Sequence, residues 1–307
     1  MRSAQRFAGY AWLVVAWNVV TILWGAFVRA TGAGAGCGSH WPLCNGQVLP
    51  RAPALETLIE FSHRATSGVA LLLVIGLVVY SRRVGAPGSL VRRAAWASLA
   101  FVVTEALIGA GLVLFGWVAQ DQSQGRAIAV SLHLVNTLLL LAALTLTARA
   151  ASFPGELQLR WKTSSLILWG LGLAGIGILG ATGAITALGD TLFPARTLAQ
   201  GLAADASPAS SALIRLRVAH PVAAVLVGGG VLVLAGRLAE GKREAARLAA
   251  WLRLAIVIQW AAGVVNLVLL APVWMQILHL LLADVAWILL VMLGLQAGTV
   301  ANTSTSS

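Results

Sequence analysis

Long apolar runs alternate with short polar connections along the whole chain. Runs with few or no charges cover about 10–29, 58–80, 94–118, 127–148, 163–187, 212–236, 248–270 and 273–297. Each approaches the ~20 residues that a helix needs to cross the hydrocarbon core of a bilayer. Only Pro272 marks the division between the last two. A helix satisfies its own backbone groups in lipid. The pattern therefore predicts an all-α polytopic membrane protein with eight transmembrane helices.

Composition agrees with that pattern. Of 307 residues, 59% are hydrophobic and 10% charged, against roughly a quarter charged in a soluble domain, and the mean hydropathy is +0.88. A net charge of +11 could suggest nucleic acid. The basic residues, however, lie between apolar runs. Arg2 and Arg6 precede the first; Arg82, Arg83, Arg92 and Arg93 follow the second; Arg149, Arg160 and Lys162 follow the fourth; Arg237, Lys242, Arg243, Arg247 and Arg253 cluster around the connection after the sixth. This is the positive-inside bias, so no nucleic-acid partner is expected. It places both termini in the cytoplasm and the connections 29–57, 119–126, 188–211 and 271–272 outside. The first span reads as a signal anchor, and no long Arg- and Ser-rich leader precedes it, which points to a prokaryotic plasma membrane. The polar tail 299–307 is expected to be disordered.

The spans read as a duplicated set of four. Gly25, Thr31 and Gly34 match Gly180, Thr186 and Gly189 in spacing, and Glu105 with Gly109 matches Gln259 with Gly263. Histidines carry the rest: His63 and His220 open the second and sixth spans, and His133 and His279 open the fourth and eighth. Four spans per repeat, an even number, make the halves parallel, related by an axis along the membrane normal. The expected domains are a four-helix half over 1–150 and another over 151–298. All four histidines lie about five to eight residues from the start of spans that run inward, roughly 8–12 Å deep at 1.5 Å per residue, so they share one level near the outer leaflet.

Zinc favours three or four ligands in a tight tetrahedron. Two histidines on facing helices of a four-helix bundle instead suit the two axial positions of one haem iron. One haem would lie between His63 and His133, and a second between His220 and His279. The two halves differ three residues ahead of the first histidine of each, a position on the same helix face: Glu60 before His63, Arg217 before His220. Arginine suits a haem propionate. A carboxylate suits proton handling or the stabilisation of positive charge. One half would then hold a resident electron carrier while the other performs chemistry.

With eight helices arising by duplication, a histidine in each even helix, E-x-x-H at Glu60–His63 followed by Arg64, and CGSHWPLC in the first external loop, the chain resembles the haem A synthase family over about 10–297. The resemblance is to the bacterial type with a cysteine pair in that loop. It implies an oxidoreductase that converts a methyl group of haem O to the formyl group of haem A for terminal oxidases, by two successive oxidations and loss of water. It also implies resident haem b on His220 and His279 in the C-terminal half, with Arg217 alongside. Substrate haem O would lie on His63 and His133, with Arg64, in the N-terminal half, and Glu60 would be the essential carboxylate. A haem O-forming farnesyltransferase and an electron-transfer partner or quinol are candidate partners. Glu105 stands where a glutamine is expected by analogy with Gln259, and a second cysteine pair found in some members after the fifth helix is absent from GDTLFPARTL.

Other residues leave choices open. In an oxidising exterior Cys37 and Cys44 favour a disulfide, either as a staple or as a redox relay, and His40 between them could complete a copper site or be an ordinary loop residue. Glu105 and Asp284 are intramembrane carboxylates, candidates for a proton path or an ion pair. Asp284 falls away from the face of His279. Two rival functions fit a membrane protein with level histidines: a two-haem b-type cytochrome passing electrons from quinol, and a transporter using a proton relay.

Overall fold

The computed structural model describes residues 2–153 and 159–299. All but the first residue of the tail therefore lies outside the described residues. The elements are α1 (Arg2–Ala30), a 3-10 turn (Ala33–Ala35), α2 (Leu55–Val84), α3 (Leu90–Leu114), α4 (Gln124–Ala151), α5 (Thr163–Leu192), α6 (Leu198–Ala206), α7 (Ala212–Leu216), α8 (Ala219–Ala239), α9 (Arg243–Val268) and α10 (Val273–Gly298). Among the described residues, eight helical stretches are long and apolar enough to cross a membrane, with α7 and α8 forming one of them, Ala212–Ala239. The chain is a multi-pass membrane protein.

Local chemistry sets the helix ends. Ser89 and Ser123 start α3 and α4 by accepting the backbone N–H groups of Arg92 and Arg126, which satisfies a donor that a helix start leaves free. α3 stops at Leu114, four residues short of the apolar run, because Gly116 adopts a left-handed φ of 70° and turns the chain. The connection 188–211, expected as a loop, is partly helical: α5 continues to Leu192, and α6 is capped by the Thr197 hydroxyl. α7 and α8 are separated at Arg217 and Val218. Pro221 explains the break, since it has no N–H for the Arg217 carbonyl and its ring crowds that group.

Each set of four spans closes into a ring. α1, α2, α3 and α4 pack in that order, with α4 back on α1; α5, α8, α9 and α10 repeat the arrangement, with α10 back on α5. The histidine-bearing helices therefore lie on the diagonals, α2 across from α4 and α8 across from α10. The seam between the halves pairs α4 with α5 and α1 with α10, two matched contacts of a pseudo-two-fold arrangement, while α4 also meets α10 and α1 meets α5.

The main core occupies only one side of the histidine level. Phe7, Val14, Leu77, Leu141, Leu252 and Leu293 are fully buried members of it. In the odd spans the buried members precede Gly25, Gly109, Gly183 and Gly263, and in the even spans they follow His63, His133, His220 and His279. The main core thus fills the end nearer the chain termini and ends at the histidines, while a smaller cluster of Leu188, Leu192 and Leu213 packs beyond them in the second half.

Candidate functional site

Each histidine ring rests on a glycine of the preceding span. A methyl group on Gly25 would lie 2.9 Å from His63 Cε1, one on Gly183 3.0 Å from His220 Cε1, and one on Gly263 3.2 Å from His279 Cε1; on Gly109 it would lie 3.8 Å from His133 Nε2. The repeat is therefore real at the level of the site, but its register differs from the spacing match. Gly183, not Gly180, is the partner of Gly25. Gly180 lies against Leu134 and Leu138 instead. α5 carries so many glycines that spacing alone fits more than one register.

The histidine rings are polar groups set among apolar helices. His220 and His279 face one another with centroids 6.4 Å apart and planes at 83°. Two imidazoles on opposite sides of one metal ion, with bonds of about 2 Å each, would have centroids about 6 Å apart. His220 Nδ1 lies 3.2 Å from the Thr182 hydroxyl, which leaves its Nε2 available. His279 Nε2 lies 3.2 Å from Gln259 Nε2, and its Nδ1 is buried without a partner. In the other half, His133 Nδ1 lies 2.9 Å from Glu105 Oε1, a close ion-pair contact in which the ring N–H is not aimed squarely at the oxygen; its Nε2 is left, and His63 Nδ1 is buried without a partner among the described residues. Among the described residues no three His, Cys, Asp or Glu side chains form a metal cage. Pairs of imidazoles with orphaned ring nitrogens, at a level where the core stops, fit a group that brings its own equatorial ligands, as haem does.

Glu60 lies one turn before His63 and is buried. Its Oε2 accepts the Cys37 N–H at 2.8 Å, and its Oε1 accepts Arg64 Nε at 3.1 Å and Arg64 Nη2. Arg64 Nη1 donates to the carbonyls of His40 and Leu43 at 2.7 and 2.6 Å. The pair thus grips the first connecting loop from both ends. Cys37 and Cys44 form a disulfide with Cα atoms 4.4 Å apart. Because both sulfurs are committed, a Cys–His–Cys copper site is excluded in this form. Gly36 presses so closely against α2 that a β-carbon there would collide with the Glu56 carbonyl.

Arg217 takes the matched place before His220 and is also engaged. It donates to Asp190 Oδ1 at 3.1 Å and to Asp205 Oδ1 at 2.9 Å from Nε, with Nη2 2.7 Å from the same oxygen. It therefore ties α5 and α6 to the mouth of α8. The sequence reading missed both aspartates; their signal is two acids in a connection whose only nearby bases are Arg196, Arg215 and Arg217. It also missed Arg29, which bridges the halves through Ala187 O and Thr191 Oγ1, both at 2.7 Å, and Gln276 Oε1 at 2.8 Å. Asp284 is fully buried, and among the described residues neither of its carboxyl oxygens has a partner.

Comparison with known proteins places this arrangement. The family model COX15-CtaA, described as cytochrome oxidase assembly protein, matches residues 8–291. A protein named Protoheme IX farnesyltransferase from Thermus thermophilus is 51% identical over 296 residues, 95% of this chain and 48% of that protein. Proteins named Heme A synthase are similar over shorter stretches: 37% identical over 128 residues in Alkalihalophilus pseudofirmus, covering 42% of this chain and 40% of that protein, and 41% over 98 residues in Halalkalibacterium halodurans, covering 32% and 33%. The chain spans about half the length of the Thermus relative it matches. Since the family match runs through all eight spans and all four histidines, the chain belongs to the COX15-CtaA family, the haem A synthase family that its sequence resembles.

Proposed function

We propose that this protein is a haem A synthase, an oxidoreductase of haem A biosynthesis that converts a methyl group of haem O to a formyl group. The observation that carries the reading is the set of four histidines, each on a glycine, with His220 and His279 spaced for one metal ion. In the C-terminal half, 151–298, His220 and His279 would hold a resident haem b. When bound, that group supplies reversible one-electron transfer. Arg217 would reach its propionates only by sharing its guanidinium with Asp190 and Asp205, so its nearer task is to fix α6 beside the site.

In the N-terminal half, 1–150, His63 and His133 would hold the substrate. Two oxidations at one carbon, each adding one oxygen atom and removing two electrons to an acceptor that is not part of this chain, give an alcohol and then a gem-diol, and the gem-diol loses water to leave the formyl group. Glu60 is the carboxylate assigned to proton handling there. It accepts from Arg64 and from the Cys37 N–H, which ties it to the disulfide loop. The termini are assigned to the cytoplasm and the histidine level to the outer leaflet of a prokaryotic plasma membrane, from the basic residues at the other end. The Thermus relative supports a link to haem O formation: the chain matches half of a protein named for farnesyl transfer, so a farnesyltransferase is the proposed supplier of substrate.

Co-expression with a source of haem O, followed by pigment extraction, tests the reading. Haem A should form, and Glu60→Ala should stop its formation while keeping the resident haem. No haem A, with Glu60→Ala behaving like wild type, would leave the electron-transfer cytochrome as the better account.

A further inference from the structure

A polar cage surrounds the partner of His133, and the second half has no counterpart. Glu105 Oε1 lies 2.9 Å from His133 Nδ1. The same oxygen accepts the Thr137 hydroxyl, and Oε2 accepts Asn136 Nδ2 at 2.5 Å. Asn136 also donates to the Phe101 carbonyl of α3 at 3.0 Å. Asn136 and Thr137 stand three and four residues after His133, on its face of α4. They pin the carboxylate against the imidazole. In the second half Gln259 stands beside His279, and the residues three and four after His279 are Leu282 and Ala283. Neither can hold a carboxylate. The charge at the Glu105 position and the groups that anchor it therefore occur together in one half and are missing together from the other.

We propose that Glu105 is a positioning residue for His133: its carboxylate, 2.9 Å from Nδ1, takes that N–H once the ring is set for a haem iron, leaves Nε2 as the donor atom, and makes His133 a stronger donor than His279, whose polar neighbour is the neutral amide of Gln259. The inference rests on the proposed ligand role of His133. A metal-bound histidine whose other N–H meets a carboxylate is fixed in tautomer and orientation and gains basicity. A stronger donor stabilises the more oxidised iron, so a haem held in the first half has the lower reduction potential. The neutral amide of Gln259 gives the second half no such bias. The two sites thus differ in electronic character as well as in the charges at their mouths.

The test uses the purified full-length chain, titrated with haem b and followed through an optical redox titration. The His220→Ala background isolates the first site. Glu105→Gln should weaken first-site haem binding by about 10–100-fold, the usual cost of losing such a partner, and move its potential upward. Glu105→Asp, which keeps the charge in the cage but shortens its reach, should move the potential in the same direction by less, and it serves where Glu105→Gln does not accumulate. A first-site affinity and potential that stay at the wild-type values in the variant measured overturn the proposal. His133→Ala separates this from the wider reading. If haem persists at the first site without His133, the ligand assignment itself falls. If haem is lost there while the Glu105 variants change nothing, only the role of Glu105 falls.

Discussion

Gly25 and Gly183 are where a single atom bears directly on a histidine ring. An added β-carbon at either would come within 3.0 Å of an imidazole carbon, closer than packed atoms tolerate, so the ring must move. Gly177 lies on the same helix as Gly183 with nothing within 4 Å of such an atom. Gly183→Ala is expected to lower stability by about 1–3 kcal/mol through overpacking and to weaken haem retention. Gly177→Ala should leave both unchanged or improve stability. Parallel thermal melts and haem-to-protein ratios in detergent check the pair, and equal behaviour of the two variants would remove the ring-on-glycine account. The glycines and histidines were visible as letters, and the matched spacing of Glu105–Gly109 with Gln259–Gly263 was visible as a pattern. Their meaning was not. Nothing in one helix says that Gly109 lies under His133 or that Glu105 meets its ring.

Among the elements, two devices hold the mouths of the two halves, and they differ in kind. The first is the loop closed by Cys37 and Cys44 and gripped by Glu60 and Arg64. Replacing both cysteines by serine should cost about 2–4 kcal/mol, typical for a lost disulfide. It should also free the Cys37 N–H from Glu60. A thermal melt with and without reductant checks this: wild type should fall toward the double variant, and the variant should not respond. The second device is the break before α8. Pro221→Ala restores the missing N–H, so α7 and α8 should join into one helix and draw Arg217 away from Asp190 and Asp205. A spin-label distance between α6 and α8 should lengthen; an unchanged distance would mean that the ion pairs, not the proline, set the break. The proline was visible as a letter, but the apolar pattern there reads as one unbroken span over 212–236. α6 was not legible in sequence, because nine residues are too short for a span and its exposed Leu198 and Leu202 make only a faint helical stripe.

Across the whole chain, the seam between halves decides how the two sites sit together. Trp287 donates to the Leu138 carbonyl at 2.8 Å across α10 and α4, and Arg29 reaches from α1 to both α5 and α10. A buried acceptor left without its donor costs about 1–3 kcal/mol. Arg29→Ala removes three contacts across the seam and leaves the partly buried Gln276 Oε1 without its donor, while Ala187 O keeps the Thr191 hydroxyl, so it should lower the melting temperature more than removal of an exposed arginine such as Arg237. Arg29→Lys should recover part of the loss, because an ammonium keeps the charge but cannot span all three partners. Melts of the three variants in one detergent check the order. The main core contains the end of both halves nearer the chain termini as one cluster, which predicts a single cooperative transition and not two.

Residue order was enough to establish that the chain crosses a membrane in eight helices, that these come as two sets of four, and that each even-numbered span carries a histidine near its start. Apolar length and helical rise dictate those features locally, and no distant residue can alter them. The packed fold was needed to show which glycine seats which ring, that Glu60 serves the disulfide loop through Arg64, that Arg217 is shared by two aspartates, and that Glu105 belongs to His133. These are relations between helices, set by how each is rotated and slid against its neighbours. In a protein whose spans are uniformly apolar and rich in glycine, many such settings satisfy the one-dimensional pattern, and only packing chooses among them.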